Sequence, residues 1–120
     1  MRELEITTKI DILQESELSQ EETKLITSAK EATNNSYSPY SHFQVGAALL
    51  LEDNDIITGS NQENASYPVG CCAERTALFW AKANRPDCNI KAIAIAAKHS
   101  NDFTPSPISP CGMCRQALLE

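Results

Sequence analysis

The sequence has no cluster of basic residues. Its ten Lys and Arg are scattered among sixteen Asp and Glu, for a net charge of −6. Proteins that hold DNA or RNA displace counterions from phosphates with a stripe of Lys and Arg. A nucleic-acid polymer is therefore excluded as a partner, and a small, weakly charged substrate fits better. No apolar run approaches the ~20 residues needed to span a bilayer. Met1-Arg2-Glu3-Leu4-Glu5 is too acidic and too polar for a secretory signal. The expectation is a cytoplasmic protein with no membrane partner. There is no internal repeat, low-complexity tract or linker, and 120 residues make one domain at most. A hydrophobic content of 42% is enough for a core. Five cysteines could suggest a disulfide framework, but their number is odd, no export signal is seen, and two of them form a C-x-x-C pair, which points to metal or redox chemistry.

Local patterns predict an α/β chain. Leu4, Ile6, Thr8, Ile10 and Ile12 share one parity across residues 3–13, the period of a half-buried strand. Residues 1–18 are read as an N-terminal extension carrying an extra edge strand, ahead of a catalytic domain over 19–120. Ser19-Gln20-Glu21-Glu22 is a capping box with Ser19 as N-cap. Leu25, Ile26, Ala29 and Ala32 follow at helical spacing, and the helix fades near Asn34-Asn35-Ser36. Phe43 to Leu51 reads as a strand buried on both faces. Glu52-Asp53-Asn54-Asp55 turns it back into a second strand from Ile56 to about Gln62. A loop from Glu63 to Cys71 leads to a helix from about Cys72 to Asn84, where Trp80 is expected in the core or at a subunit interface. Ile90 to Ala97 is a third buried strand, Lys98 to Ser109 a loop, and a last helix begins at Pro110 and runs to Glu120. The expected architecture is a three-layer α/β/α sandwich on a mixed sheet.

The chemistry lies in Cys72-Ala73-Glu74 and Pro110-Cys111-Gly112-Met113-Cys114. Three thiolates supply three ligands to one zinc ion and leave the fourth position for water, which marks a catalytic site. Both groups fall at predicted helix starts, where free N–H groups and the helix dipole stabilise thiolates. Three thiolates and one Zn²⁺ sum to −3 + 2 = −1, and Arg75 is placed to offset this by hydrogen-bonding the sulfurs. Glu74 can sit beside the metal without binding it and is a candidate proton carrier, the alternative being an ordinary surface carboxylate in a first helical turn. A thioredoxin-like redox pair would need no third cysteine and no Cys-Ala-Glu element. A structural zinc site would need a fourth ligand from Cys71, Cys88, His42 or His99, and Cys71 is adjacent to Cys72.

Four blocks in order resemble the small, zinc-dependent, homotetrameric cytidine deaminases. They are Ser38-Pro39-Tyr40-Ser41-His42-Phe43-Gln44-Val45-Gly46-Ala47-Ala48-Leu49-Leu50, Asn61-Gln62-Glu63-Asn64-Ala65-Ser66-Tyr67-Pro68, Cys72-Ala73-Glu74-Arg75-Thr76-Ala77-Leu78 and Ser109-Pro110-Cys111-Gly112-Met113-Cys114-Arg115-Gln116. The cysteine pattern with its glutamate matches the zinc-deaminase signature. The resemblance implies the cytidine-deaminase-like sandwich and hydrolysis of cytidine and 2′-deoxycytidine to uridine and 2′-deoxyuridine plus ammonia, by a zinc-bound hydroxide with a glutamate proton shuttle, in pyrimidine salvage. It implies that Cys72, Cys111 and Cys114 bind one zinc per subunit and that Glu74 is the shuttle. Ala73 would contact the pyrimidine carbonyl through its backbone, Phe43 would pack near the nucleoside, and Asn61 and Glu63 would hold the ribose hydroxyls. Tyr40, Ala65 and Tyr67 would reach a neighbouring subunit's site, and Arg75 would neutralise the thiolates. Family members continue past the C-x-x-C helix, so the domain is expected to be C-terminally incomplete here. Two other readings stand beside this one: a related zinc deaminase of another amino-heterocycle, and an inactive zinc-binding fragment.

Overall fold

A computed structural model describes residues 1–120. Helix α1 spans Gln20–Ala32 and continues as a 3-10 turn over Thr33–Asn35. Ser19 caps it as the sequence dictates: its hydroxyl accepts from Glu22 N at 3.1 Å, and the Glu22 carboxylate accepts from Ser19 N at 2.9 Å. Strand β1 (Phe43–Leu51) turns through Asn54, at φ 71° in a region that asparagine tolerates, into β2 (Ile56–Ser60). Helix α2 covers Ala73–Asn84, β3 Ile90–His99, β4 Asp102–Phe103 and α3 Gly112–Leu119. No helix is long and apolar enough to cross a membrane.

The sheet order is β2-β1-β3-β4. Every strand pair is antiparallel, which corrects the mixed sheet expected from the sequence. The one parallel pairing is an isolated bridge between Tyr37 and Gln62. Tight turns join β1 to β2 and β3 to β4, and such turns link antiparallel neighbours, while β1 and β3 pair antiparallel across the long connection through α2. Helix α1 covers one face, where Leu25 and Ala29 pack with Ala48, Leu50 and Ala94. Helix α2 covers the other, where Ala73, Ala77, Leu78 and Ala81 pack with Ala47 and Leu49, joined by Ala117 and Leu118 of α3. The three layers are therefore as expected, and β1 is buried from Gly46 to Leu51.

Both helices sit unusually close to the sheet. A Cβ on Gly46 would run into the backbone of Ala29 and Thr33, and a Cβ on Gly59 would lie 2.5 Å from Ala77 N and 2.6 Å from Ala73 O. Glycine is what lets these backbones approach.

Three expectations are corrected and a fourth is narrowed. Residues 3–13 form no strand; Leu4, Ile6, Ile10 and Ile12 are all exposed, because no strand of this chain lies beside them to supply the pairing that the alternation requires. The loop over 98–109 contains the two-residue strand β4. Helix α3 starts later than Pro110, since the Cys111 side chain takes the N-cap position by accepting from Cys114 N. Trp80 is 51% exposed, outside the buried stripe of α2 through Ala73, Ala77, Leu78 and Ala81, which removes the core placement and leaves the subunit-interface one standing.

Candidate metal centre and active site

The beginnings of α2 and α3 meet on the α2 side of the sheet. Cys72 is the N-cap of α2, Cys111 the N-cap of α3, and Cys114 sits one turn further along α3, fully buried. Their three sulfurs lie within 4.8 Å of one another, and Cys72 Sγ and Cys111 Sγ are 3.9 Å apart. Tetrahedral zinc with Zn–S bonds of ~2.3 Å places its sulfurs ~3.8 Å apart. The donor set and its spacing therefore fit a zinc ion.

The surrounding hydrogen bonds prepare the sulfurs for a cation. Cys111 Sγ accepts from Cys114 N at 3.4 Å, and this backbone donor holds the Cys111 thiol below its ordinary pKa. Burial pushes the Cys114 thiol up to about 12, even though Arg75 opposes it. A bound metal reverses that direction, because coordination deprotonates a thiol outright. Arg75 bridges two of the sulfurs, with Nη2 3.3 Å from Cys72 and Nε 3.4 Å from Cys114. The hydrogen bond to Cys72, then that to Cys114, holds its guanidinium more firmly protonated than usual. Arg75 thus makes the hydrogen bonds to the sulfurs expected from its place after Glu74.

Glu74 is buried in the first turn of α2, with Oε2 3.7 Å from Cys114 Sγ. A carboxylate beside the sulfurs, held on a rigid helix, is placed to carry protons near a metal. Ala73 is fully buried at the same helix start.

A second group of residues reaches the cluster through the backbone. Gln62 and Cys71 exchange two hydrogen bonds of 2.9 Å, which fixes the segment carrying Asn61 and Glu63 alongside the residue before Cys72. Asn61 is held by its own amide: Oδ1 accepts from Val45 N at 2.8 Å, and Nδ2 donates to Phe43 O at 2.9 Å. Glu63 Oε1 accepts from Tyr40 N at 3.0 Å and Ser41 N at 3.1 Å. These bonds gather Tyr40, Phe43, Asn61 and Glu63 into one loop cluster. Phe43 is half-buried, whereas Tyr40, Ala65 and Tyr67 are exposed, and none of these four joins the hydrogen bonding around the sulfurs.

Sequence reasoning overlooked Thr76. Its hydroxyl reaches Ser60 O at 2.8 Å and Cys72 O at 2.7 Å, tying the start of α2 to the end of β2. The signal was available, since a threonine one turn into a helix bonds the carbonyl four residues back. The Gln62–Cys71 pairing carried no local signal.

Residues 19–120 match the family model described as the cytidine and deoxycytidylate deaminase zinc-binding region. The chain is 50% identical over 97 residues to a cytidine deaminase of Halalkalibacterium halodurans, covering 80% of this chain and 68% of that one. A cytidine deaminase of Sporosarcina psychrophila is 47% identical, over 81% of this chain and 67% of its own length. The crystal structure of cytidine deaminase from Burkholderia pseudomallei superposes with a TM-score of 0.71 at 46% identity, covering 81% of this chain and 73% of that one. The chain therefore belongs to the cytidine and deoxycytidylate deaminase zinc-binding family.

Proposed function

We propose that the chain catalyses hydrolytic deamination of cytidine and 2′-deoxycytidine, releasing ammonia. The observation that carries this reading is the buried Glu74 carboxylate 3.7 Å from a sulfur of the three-cysteine cluster. Cys72, Cys111 and Cys114 hold the zinc, which when bound supplies the Lewis acidity that makes water nucleophilic near neutral pH.

The other steps belong to the chain's own groups. Glu74 takes a proton from the attacking water and delivers it to N3 of the ring as the hydroxyl adds to C4. It then carries the remaining hydroxyl proton to the amino nitrogen. The C4–N bond breaks, ammonia leaves, and the C4 carbonyl of the uracil ring forms. Positioned proton transfer of this kind contributes ~10²–10⁴-fold in rate. Arg75 spreads the thiolate charge, which would otherwise weaken the acidification of water.

Asn61 and Glu63 hold the ribose. Two backbone donors anchor Glu63 through Oε1. Ala73 offers its backbone at the start of α2 to the pyrimidine carbonyl, and Phe43 packs against the nucleoside. Tyr40, Ala65 and Tyr67 are exposed and suited to a neighbouring copy's site in a homotetramer. A cytoplasmic nucleoside salvage role follows from this substrate class.

The test is a substrate panel on the zinc-loaded chain, with ammonia as the readout. Turnover of cytidine and 2′-deoxycytidine supports the reading, and turnover confined to another amino-heterocycle overturns it.

A further inference from the structure

Residues 1–18 lie outside the family match, and their pattern has no use within the fold described so far. Leu4, Ile6, Ile10 and Ile12 are between 78% and 94% exposed, all on one parity, with Glu3, Glu5, Lys9 and Asp11 on the other. Four large apolar side chains on one face of an extended segment need a surface that offers both backbone pairing and an apolar flank.

The outer edge of β2 is such a surface. Leu51 N bonds Asp55 O, and Asn61 N bonds Val45 O. Antiparallel alternation then turns the backbone groups of Ile56, Thr58 and Ser60 away from β1. Ser60 O is taken by Thr76, so Ile56 and Thr58 present free N–H and C=O groups on the edge of the sheet.

The two flanks of this edge differ. On the α1 side runs an open groove of about 440 Å³, lined by Lys24, Ser28, Glu31 and Asp55 together with Ile56 and Thr58. Lys24 and Glu31 form no ion pair. On the α2 side, Trp80 stands one turn beyond Thr76 on the same helix face and is half exposed. A polar flank and an apolar flank on either side of an unpaired strand match a segment with one polar and one apolar face. The segment also offers both signs of charge, in Glu5 and Lys9, to both signs in the groove.

The segment does not reach this edge within its own chain. Glu15 is bonded to Lys30 at 3.0 Å, and Lys30 lies over the ring of Phe103 in β4. The chain therefore leaves α1 on the β4 side, opposite the β2 edge. We propose that residues 4–12 add as a strand to the β2 edge of a second copy of this chain, with Ile6 and Ile10 towards Trp80 and Glu5 and Lys9 towards the α1 groove. Exchange in both directions closes the pair under two-fold symmetry.

The experiment is amide hydrogen exchange on the full zinc-loaded chain, followed at Ile56 and Thr58 over a dilution series. Protection of these amides by about 100-fold at high concentration, lost on dilution, is expected. Ile6→Asp with Ile10→Asp, two exposed positions whose change leaves the domain folded, is expected to abolish the protection at every concentration. Unprotected Ile56 and Thr58 amides at all concentrations overturn the proposal. Protection that persists on dilution overturns the exchange between copies and assigns the strand to its own chain. Protection unchanged in the double variant overturns the role of residues 4–12.

Discussion

Nε of Arg75 lies 3.4 Å from Sγ of Cys114, 39 residues further along the chain. The same guanidinium reaches Cys72, so one side chain ties the two cysteine-bearing helix starts together. Without it, three thiolates and a doubly charged ion would carry a net negative charge offset only by the backbone N–H groups of the two helix starts. Groups that hydrogen-bond metal ligands are worth ~10–100-fold in metal affinity or activity. Arg75→Gln is therefore expected to lower kcat/KM for cytidine by about 10-fold or more. Competition with a chromophoric chelator checks whether zinc affinity falls with it; unchanged affinity and turnover would remove Arg75 from this role.

Cys111 caps α3 and contributes one of the three sulfurs. Cys111→Ala is expected to lose stoichiometric zinc while leaving α1, across the sheet from the cysteines, folded. Metal analysis after dialysis reads the first outcome and circular dichroism the second. A full zinc complement in this variant would exclude the three-cysteine ligand set.

Gly59 is where α2 touches the sheet, and a methyl there would lie 2.5 Å from Ala77 N. The contact is with backbone, so α2 must shift as a body and carry Cys72 and Glu74 with it. Gly59→Ala is expected to cost ~1–3 kcal/mol in urea unfolding. It is also expected to reduce turnover beyond the fraction of chain unfolded. A variant with wild-type stability would show that the helix seats more loosely than this packing requires.

Glu63 carries a pH dependence whose sign follows from its partners. Hydrogen bonding from the Ser41 side chain, then from the backbone N–H groups of Ser41 and Tyr40, holds its carboxyl below the usual range. A carboxyl depressed in the folded state contributes stability above its unfolded value of ~4.3 and loses it as pH falls through the folded value. Thermal midpoints measured from pH 6 downward should therefore fall less steeply for Glu63→Gln than for the parent chain. Parallel curves would mean that these bonds do not persist in solution.

Ser19 and Glu22 form the reciprocal cap of α1. Ser19→Ala is expected to destabilise the fold by ~1 kcal/mol without changing turnover per folded chain, since α1 lies across the sheet from the cysteines. Denaturation and a steady-state assay of the same sample check the two halves of this prediction.

The parts of the structure that sequence reasoning reached were those governed by local chemistry. The α1 cap, the apolar β1 run and the hairpin turn each depend on residues within one or two turns of each other. The cysteine spacing likewise carried its own chemical meaning, and Arg75 followed from charge balance. The parts it missed depend on distant partners. The pairing of Gln62 with Cys71 leaves no trace in either segment alone. The antiparallel sheet depends on which strands meet, and neither apolar run encodes that. The alternation of residues 3–13 has the period of a strand, but a pattern does not name its partner, and the segment forms no strand within the chain. Of the two places expected for Trp80, its exposure removes the core, because helical spacing from Thr76 and Ala77 spans both the buried stripe and its margin.

The central claim is that Glu74 moves the protons while the cysteines hold the metal. The measurement that tests it most directly is ammonia release from cytidine by the zinc-loaded chain and its Glu74→Ala variant, with zinc content determined on the same samples. One zinc per chain is expected in both, with a loss of turnover of at least ~100-fold in the variant. A zinc-loaded Glu74→Ala chain that deaminates cytidine at a comparable rate would contradict it.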